Sequence, residues 1–88
     1  MRKGPVTVTW VPGDLGQPPR VAFAVGRRAG GAVMRNRIRR RLRAIVREAE
    51  PLLQPGAYLV GAGPEASSMS YRELKATVCE ALGALERH

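Results

Sequence analysis

The sequence predicts an α+β domain in which one small β-sheet packs against two helices as a two-layer sandwich. Three observations lead to this class: short apolar segments that alternate like strands, an arginine-rich segment whose apolar residues recur at helical spacing, and a C-terminal segment with a second apolar stripe. Their order along the chain is strand, strand, helix, strand, helix. A length of 88 residues suits a single core, so we expect one domain over residues 1–88.

Two strands are predicted near the N-terminus, over Val6–Val11 (VTVTWV) and Val21–Val25 (VAFAV). The turn-forming residues of PGDLGQPP separate them. The predicted core faces hold Val6, Val8, Trp10, Val21, Phe23 and Val25. Because segments that are adjacent in sequence are usually adjacent in a sheet, we expect these two strands to form an antiparallel pair.

The middle of the chain is predicted to run from loop to helix to strand. Gly26–Gly31 (GRRAGG) is expected to be a flexible loop. A helix should begin at Ala32 and continue to about Glu50, since Pro51 disfavours the helical conformation of the residue before it. Gly56–Gly63 (GAYLVGAG) has the composition of a short buried strand.

A second helix is expected after a loop that passes through Pro64. In the segment SYRE, Ser70 and Glu73 are spaced as a capping box, in which each side chain accepts a hydrogen bond from the other residue's backbone N–H. The apolar residues that follow recur on one side of the helix: Leu74, Val78, Ala81, Leu82 and Leu85.

The charge balance is the most unusual feature of the composition. Fifteen Lys and Arg stand against seven Asp and Glu, a formal net charge of +8, and thirteen of the fifteen are arginine. Such an excess favours a polyanionic partner, either nucleic acid or an anionic membrane. The planar guanidinium group also suits bidentate contact with phosphate.

The arginines concentrate in the predicted central helix. At about 100° per residue, one narrow stripe of that helix holds Met34, Ile38, Leu42, Ile45 and Ala49. The opposite side holds Asn36, Arg40, Arg43 and Arg47, with Arg37 and Arg39 on the flanks and Arg35 and Arg41 nearer the stripe. No acidic residue lies between Asp14 and Glu48, so the repulsion between these arginines is relieved best by an external polyphosphate. The apolar stripe should anchor the helix while the guanidinium groups are displayed.

Other classes of function fit the residues less well. A nuclease that works through protein groups alone would need converging carboxylates or a placed histidine, but the acids are dispersed and the only histidine is the terminal His88. We therefore expect no catalytic residues and no metal bound by the protein alone. A basic helix lying on an anionic membrane and a general or ribosome-associated RNA-binding module remain as alternatives.

The sequence also indicates in which cellular compartment the protein is expected. Cys79 is the only cysteine, which rules out an internal disulfide and is compatible with a reducing compartment. No apolar run approaches the roughly 18 residues that span a bilayer, and the N-terminus lacks the apolar segment of a signal peptide. We expect a soluble, cytoplasmic and monomeric protein without a membrane partner.

The segment RVAFAVGRRAGGAVMRNRIRRRLRAIVRE, residues 20–48, resembles the signature region of the bacterial ribonuclease P protein subunit. In that family a strand and a basic pair precede an Arg-Asn-Arg motif at the start of a basic amphipathic helix. The later segment PGAYLVGAGPEASSMSYRELKATVCEAL, residues 55–82, is similar to the family's last strand, loop and C-terminal helix. Together the two segments cover about two thirds of the chain.

The resemblance implies a protein that assists a catalytic RNA in removing the 5′ leader of precursor tRNA in bacteria. The RNA hydrolyses the phosphodiester with bound Mg²⁺, and the protein contributes RNA contacts. Carried over by position, the RNA-binding residues are Arg27, Arg28, Arg35, Asn36, Arg37, Arg39, Arg40 and Arg43, to which the helix pattern adds Arg47. The family holds the single-stranded leader in a cleft beside the sheet, for which the candidate contacts here are Thr7, Thr9 and Tyr58.

The resemblance also sets expectations for topology and marks three departures. The family joins two parallel strands across the basic helix by a left-handed crossover. Its members normally begin with a further N-terminal helix that forms one wall of the leader cleft, and this chain starts after it. Gly63 stands where a basic residue is common, and Gly26 where a small polar residue is common. These departures affect leader binding more than binding to the catalytic RNA.

Overall fold

The computed structural model describes residues 1–86, and it has the predicted α+β architecture. The strands are β1 (Arg2–Lys3), β2 (Val6–Pro12), β3 (Arg20–Val25) and β4 (Gly56–Ala62), and the helices are α1 (Ala32–Glu48) and α2 (Tyr71–Glu86). Short 3-10 turns occupy Arg27–Ala29, Glu50–Leu52 and Pro64–Ser68. Arg87 and His88 lie outside the described residues, so the expectation that His88 is not a catalytic base stays a prediction.

The strands form one mixed sheet in the order β1-β2-β4-β3. The predicted antiparallel pairing of β2 with β3 is wrong, because β4 lies between them, antiparallel to β2 and parallel to β3. The crossover through α1 returns the chain beside β3 in the same direction, as parallel pairing requires. The loop at 13–19 only has to cross two strand spacings, roughly 10 Å, which an extended segment of this length easily spans. The hand of the crossover stays a prediction.

The core lies between one face of the sheet and the two helices. Val8 of β2 and Val60 of β4 are at most 1% exposed, and they belong to the same buried cluster as Ile38 of α1 and Leu74 of α2. The predicted inward alternation of β2 and β3 is confirmed, although Val21 and Phe23 at the sheet edge are only half-buried. Both helices therefore cover the same face, and the molecule has two layers.

Helix α1 meets the sheet through the predicted stripe. Ile38, Leu42 and Ile45 are at most 2% exposed, and Met34 is half-buried. Val46 is buried as well, which the narrow stripe did not include. The helix ends at Glu48 rather than near Glu50, and the chain continues into a 3-10 turn that contains Pro51. The buried stripe fixes the rotation of α1 and with it the direction of every arginine.

The capping box at the start of α2 is confirmed. The Ser70 N–H donates to Glu73 Oε1 at 3.0 Å, and the Glu73 N–H donates to Ser70 Oγ at 3.1 Å. Beyond the cap, Leu74, Val78 and Ala81 are fully buried, as the apolar pattern predicts. Neither helix of the described chain combines the length and the apolar character that crossing a bilayer would take.

Two local predictions need correction. The segment at 26–31 is not a simple flexible loop, because Arg27–Ala29 forms a 3-10 turn and Ala29 is 5% exposed. Strand β4 is not buried on both faces, since Ala57 and Leu59 point away from the helices and are exposed. In both cases a short segment of sequence does not reveal which other parts of the chain cover each side chain.

Candidate nucleic-acid interface

The surface of α1 that points away from the sheet is an arginine face, made of Asn36, Arg37, Arg39, Arg40, Arg43 and Arg47. All six side chains are exposed except Arg39, which is half-buried. The apolar stripe places them there, because residues three or four positions apart share a helix face while the core lies on the other side. Arg39 Nη1 donates to Asn36 Oδ1 at 3.2 Å. A surface depression of about 410 Å³ lies among Asn36, Arg39, Arg40 and Arg43.

The arginine face is not neutralised by the chain's own carboxylates. Among the described residues, ion pairs join Lys3 to Glu80 at 3.7 Å and Lys75 to Glu48 at 2.5 Å, and both use lysine. The hydrogen bond and charge of Glu48 raise the pKa of Lys75. Among the side chains of residues 1–85, no arginine of the face meets a carboxylate, so its cations remain available to an external anion.

Two arginines of α1 turn toward the protein, as their position near the stripe predicts. Arg41 is half-buried, and its Nη1 donates to the carbonyl oxygen of Met69 at 3.1 Å, which ties α1 to the segment before α2. Arg35 is also half-buried, and its Nε is buried without a hydrogen-bond partner in the described chain. Arg35 was assigned to RNA through the Arg-Asn-Arg motif, and the structure leaves it less accessible than Arg37.

The basic pair Arg27 and Arg28 lies in the 3-10 turn that leads from β3 to α1. Both side chains are exposed, while the buried Ala29 fixes the turn to the core. Gly30 follows with φ 128°, a conformation that side chains rarely adopt, and a Cβ there would lie 3.0 Å from the Cβ of Met34. This glycine lets the chain reverse sharply, so that the pair stands beside the N-terminus of α1. No acidic residue occupies the first turn of α1, and the positive end of the helix dipole adds to the charge.

The side of the sheet opposite the helices is an open face. On this face, residues that are paired across neighbouring strands form three rows. The first row is Arg2, Thr7, Gly61 and Ala24, the second is Thr9, Leu59 and Ala22, and the third is Val11, Ala57 and Arg20. Thr7 and Thr9 are exposed there, opposite Val8, as the strand pattern predicts. Leu59 is 46% exposed and Val11 60%. A groove of about 440 Å³ at one end is bordered by Thr7 and Gly61, by the two arginines Arg2 and Arg28, and by one acidic residue, Glu65.

Gly61 sets the depth of this groove. A Cβ on Gly61 would lie 2.7 Å from Thr7 Oγ1 and 3.3 Å from the carbonyl oxygen of Ala24, so a larger residue would displace its neighbours. Arg28 borders the groove from the turn before α1.

The assignment of Tyr58 as a leader contact is wrong. Its side chain is 7% exposed and lies on the core face of β4 with Val60. The ring stacks on Trp10 with centroids 6.1 Å apart, and its hydroxyl accepts a hydrogen bond of 2.9 Å from the Gln54 N–H. A buried ring with a satisfied hydroxyl is a structural group.

Arg2 and Arg20 belong to the open face and were missed by the sequence analysis. Arg20 follows from the alternation of β3, since it shares a face with Ala22 and Ala24. Arg2 had no usable signal, because β1 is only two residues long. Its pairing with Thr7 brings it to the open face.

Comparison with known proteins places this geometry in a family. The family model described as "Ribonuclease P" matches residues 1–86. The Ribonuclease P protein component of Beutenbergia cavernae is 42% identical over 73 residues, which cover 82% of this chain and 61% of that protein. The protein of the same name from Thermobifida fusca is 45% identical over 71 residues, which cover 80% of this chain and 48% of that protein. The chain thus spans about half to three fifths of the length of these relatives.

Solved structures agree on the fold. The RNase P protein of Staphylococcus aureus superposes with a TM-score of 0.81 at 20% identity, covering 91% of this chain and 73% of that one. The RNase P protein of Thermotoga maritima superposes with a TM-score of 0.83 at 17% identity, covering 93% of this chain and 78% of that one. At these identities the likeness establishes the shared architecture.

Proposed function

Because this chain belongs to the ribonuclease P protein family, we propose that it is the protein subunit of a ribonuclease P endoribonuclease. In this role it binds the catalytic RNA and precursor tRNA and assists removal of the 5′ leader during tRNA maturation. The observation that carries the proposal is the arginine face of α1, which is exposed and has no carboxylate partner among the described residues.

The arginine face is suited to the backbone of a folded RNA. Each phosphate that an arginine neutralises releases condensed counterions, and this release supplies affinity without reading sequence. Arg40 and Arg43 lie nearly one helical turn apart on the same surface. Because α1 is anchored by buried side chains, its guanidinium groups meet the RNA from fixed positions, so the contacts also orient the protein.

The open face is the proposed site for the single-stranded leader. Thr7 and Thr9 offer hydroxyls, and Leu59 and Val11 offer exposed apolar surface for bases. Arg2 and Arg28 border the groove at one end, where they meet the leader's phosphates. Single-strand binders combine these same elements, a cationic path and a surface on which bases lie. Tyr58 has no part in this proposal, because it is buried.

The proposal assigns bond cleavage to the catalytic RNA and its Mg²⁺. The metal would polarise the scissile phosphate and activate the attacking water. The protein supplies no catalytic residue, and its cations position the two RNAs. Among the side chains of residues 1–85, no three histidine, cysteine or carboxylate groups lie together as ligands for an ion.

Reconstitution tests this proposal. The chain is added to a catalytic ribonuclease P RNA at low Mg²⁺, and cleavage of precursor tRNA is followed with and without protein. We expect the protein to stimulate cleavage and to bind precursor more tightly than mature tRNA in the presence of the RNA. Equal binding of both tRNAs without stimulation would instead indicate a general RNA-binding module.

A further inference from the structure

A groove at the free edge of β3 lies beside the arginine face and away from the open face. It has a volume of about 240 Å³ and opens between β3 and the C-terminal half of α1. Val21 and Phe23 form its sheet side, Val46 and Leu53 extend the apolar lining, and Arg43 and Arg47 form its rim. The groove exists because β3 is the last strand of the sheet, so α1 covers its inward side chains only in part.

The lining of this groove brings an aromatic and aliphatic surface together with two arginines. The aromatic ring of Phe23 is half-buried and stands beside aliphatic side chains. Two guanidinium groups one helical turn apart stand at the mouth, and Arg43 also borders the depression on the arginine face. An anion held by the arginine face thus reaches an apolar slot directly beside it.

We propose that this groove receives an unpaired nucleobase of the bound RNA, which lies against Phe23 while Arg43 and Arg47 hold its phosphate. The inference rests on the proposed function, and it adds a base site to a surface otherwise suited to phosphates alone. Charge complementarity selects an anionic occupant, and the half-buried ring of Phe23 beside aliphatic side chains gives it an apolar surface to lie against. A flat base attached to one phosphate meets both requirements.

Glu50 is the remaining charged residue at the groove, and its carboxylate accepts hydrogen bonds. A carboxylate beside a base pairs with an exocyclic amino group, as in readout of cytosine. Adenine carries such a group, so adenosine 5′-monophosphate is the simplest probe. Ribose 5-phosphate is the matched control, because it keeps the phosphate and lacks the base.

The test is nuclear magnetic resonance of the isotope-labelled chain with each probe. We expect intermolecular nuclear Overhauser effects from adenine H2 and H8 to the ring of Phe23 and the methyls of Val46. Ribose 5-phosphate should shift side-chain signals of the arginine face, including those of Arg43 and Arg47, and should leave the signals of Phe23 and Val46 unchanged. Equal shifts from both probes, or adenine contacts confined to the open face, overturn the base site. Groove shifts that depend on protein concentration without nucleotide mean that a second copy fills it, and also overturn the inference.

A substitution gives an independent readout. Val21→Phe fills the groove and leaves both rim arginines in place, so it should weaken binding of adenosine 5′-monophosphate at least about fivefold, the factor lost with one stacked base. Val33→Phe makes the same change at a valine that is 83% exposed and lies outside the groove, and it should leave the affinity unchanged. Equal affinities in the two variants contradict the proposal. If Val21→Phe does not fold, the magnetic resonance contacts of the unsubstituted chain decide alone.

The same protein preparations separate this inference from the proposed function. If the chain stimulates cleavage by the catalytic RNA but shows no adenine contact in the groove, the proposed function is supported and the base site is contradicted. A chain that binds adenosine 5′-monophosphate in the groove, but fails to stimulate cleavage, has the base site without the proposed function.

Discussion

Arg41 Nη1 donates a hydrogen bond of 3.1 Å to the carbonyl oxygen of Met69, whereas its neighbour Arg40 is exposed on the arginine face. Two adjacent arginines therefore have different roles. Arg41 joins α1 to the segment before α2, and Arg40 is free to contact an external anion.

Replacing Arg41 should affect stability first. Arg41→Ala removes a charged donor from a half-buried carbonyl, together with the packing of its aliphatic stem, and should lower the free energy of unfolding by about 1 to 3 kcal/mol. Arg40→Ala is the matched control and should change it by less than about 0.5 kcal/mol. Urea unfolding of both variants measures the difference. Equal stabilities would show that the Arg41 hydrogen bond contributes nothing.

The anchoring of α1 depends on its buried stripe. Ile38 is 2% exposed, so Ile38→Ala leaves a cavity and should cost roughly 2 to 5 kcal/mol of unfolding free energy. Val33 is on the same helix but 83% exposed, and Val33→Ala should stay within about 0.5 kcal/mol of the unsubstituted chain. Thermal or urea unfolding checks the pair. If Ile38 tolerates a charged residue, the rotation of α1 is not the one described.

The capping box predicts a specific pH dependence. The backbone N–H and the hydroxyl of Ser70 lower the pKa of Glu73 from its ordinary value of 4.5. A carboxyl group with a lower pKa in the folded state stabilises the fold above the unfolded value, and this stability is lost as the pH falls through the folded pKa. Glu73→Gln should therefore be less stable than the unsubstituted chain at pH 7, and the gap should close in acid. Urea midpoints at about pH 7 and about pH 3 test this, and a gap of constant size would contradict it.

A substitution at Gly61 tests whether the open face binds the leader. Gly61→Val fills the groove beside Thr7, so the preference for precursor over mature tRNA should fall about fivefold, as for one lost base contact. Gly16→Val is the control, because a Cβ on Gly16 meets no atom within 4 Å. Competition binding in the presence of the catalytic RNA measures the preference. An unchanged preference in a folded Gly61→Val chain would place the leader elsewhere.

The sequence predicted the local elements well because their signals are local. Alternation places Val8 inward and Thr9 outward, helical spacing identifies the buried side of α1, and four residues suffice to recognise the Ser70 cap. The same helical spacing also placed Arg40 and Arg43 outward.

The errors arose where distant segments decide the outcome. No property of β2 or β3 alone shows that β4 will lie between them, since that depends on the crossover through α1. Tyr58 looked available for RNA because the sequence does not show that Trp10 and Gln54 are its partners. The hydrogen bond from Arg41 to Met69 joins residues 28 positions apart, so the sequence pattern did not predict it either.

The salt dependence of RNA binding tests the central claim most directly. The dissociation constant for the catalytic RNA is measured across a range of monovalent salt for the unsubstituted chain, for the double variant Arg40→Ala with Arg43→Ala, and for Arg72→Ala on α2 as the control. If the arginine face contacts phosphates, the double variant should bind the RNA more weakly. The slope of the logarithm of the association constant against the logarithm of the salt concentration should also become shallower, by about 0.7 to 0.9 for each lost contact. Arg72→Ala should keep the original slope. A double variant with the original slope would mean that these guanidinium groups do not contact RNA.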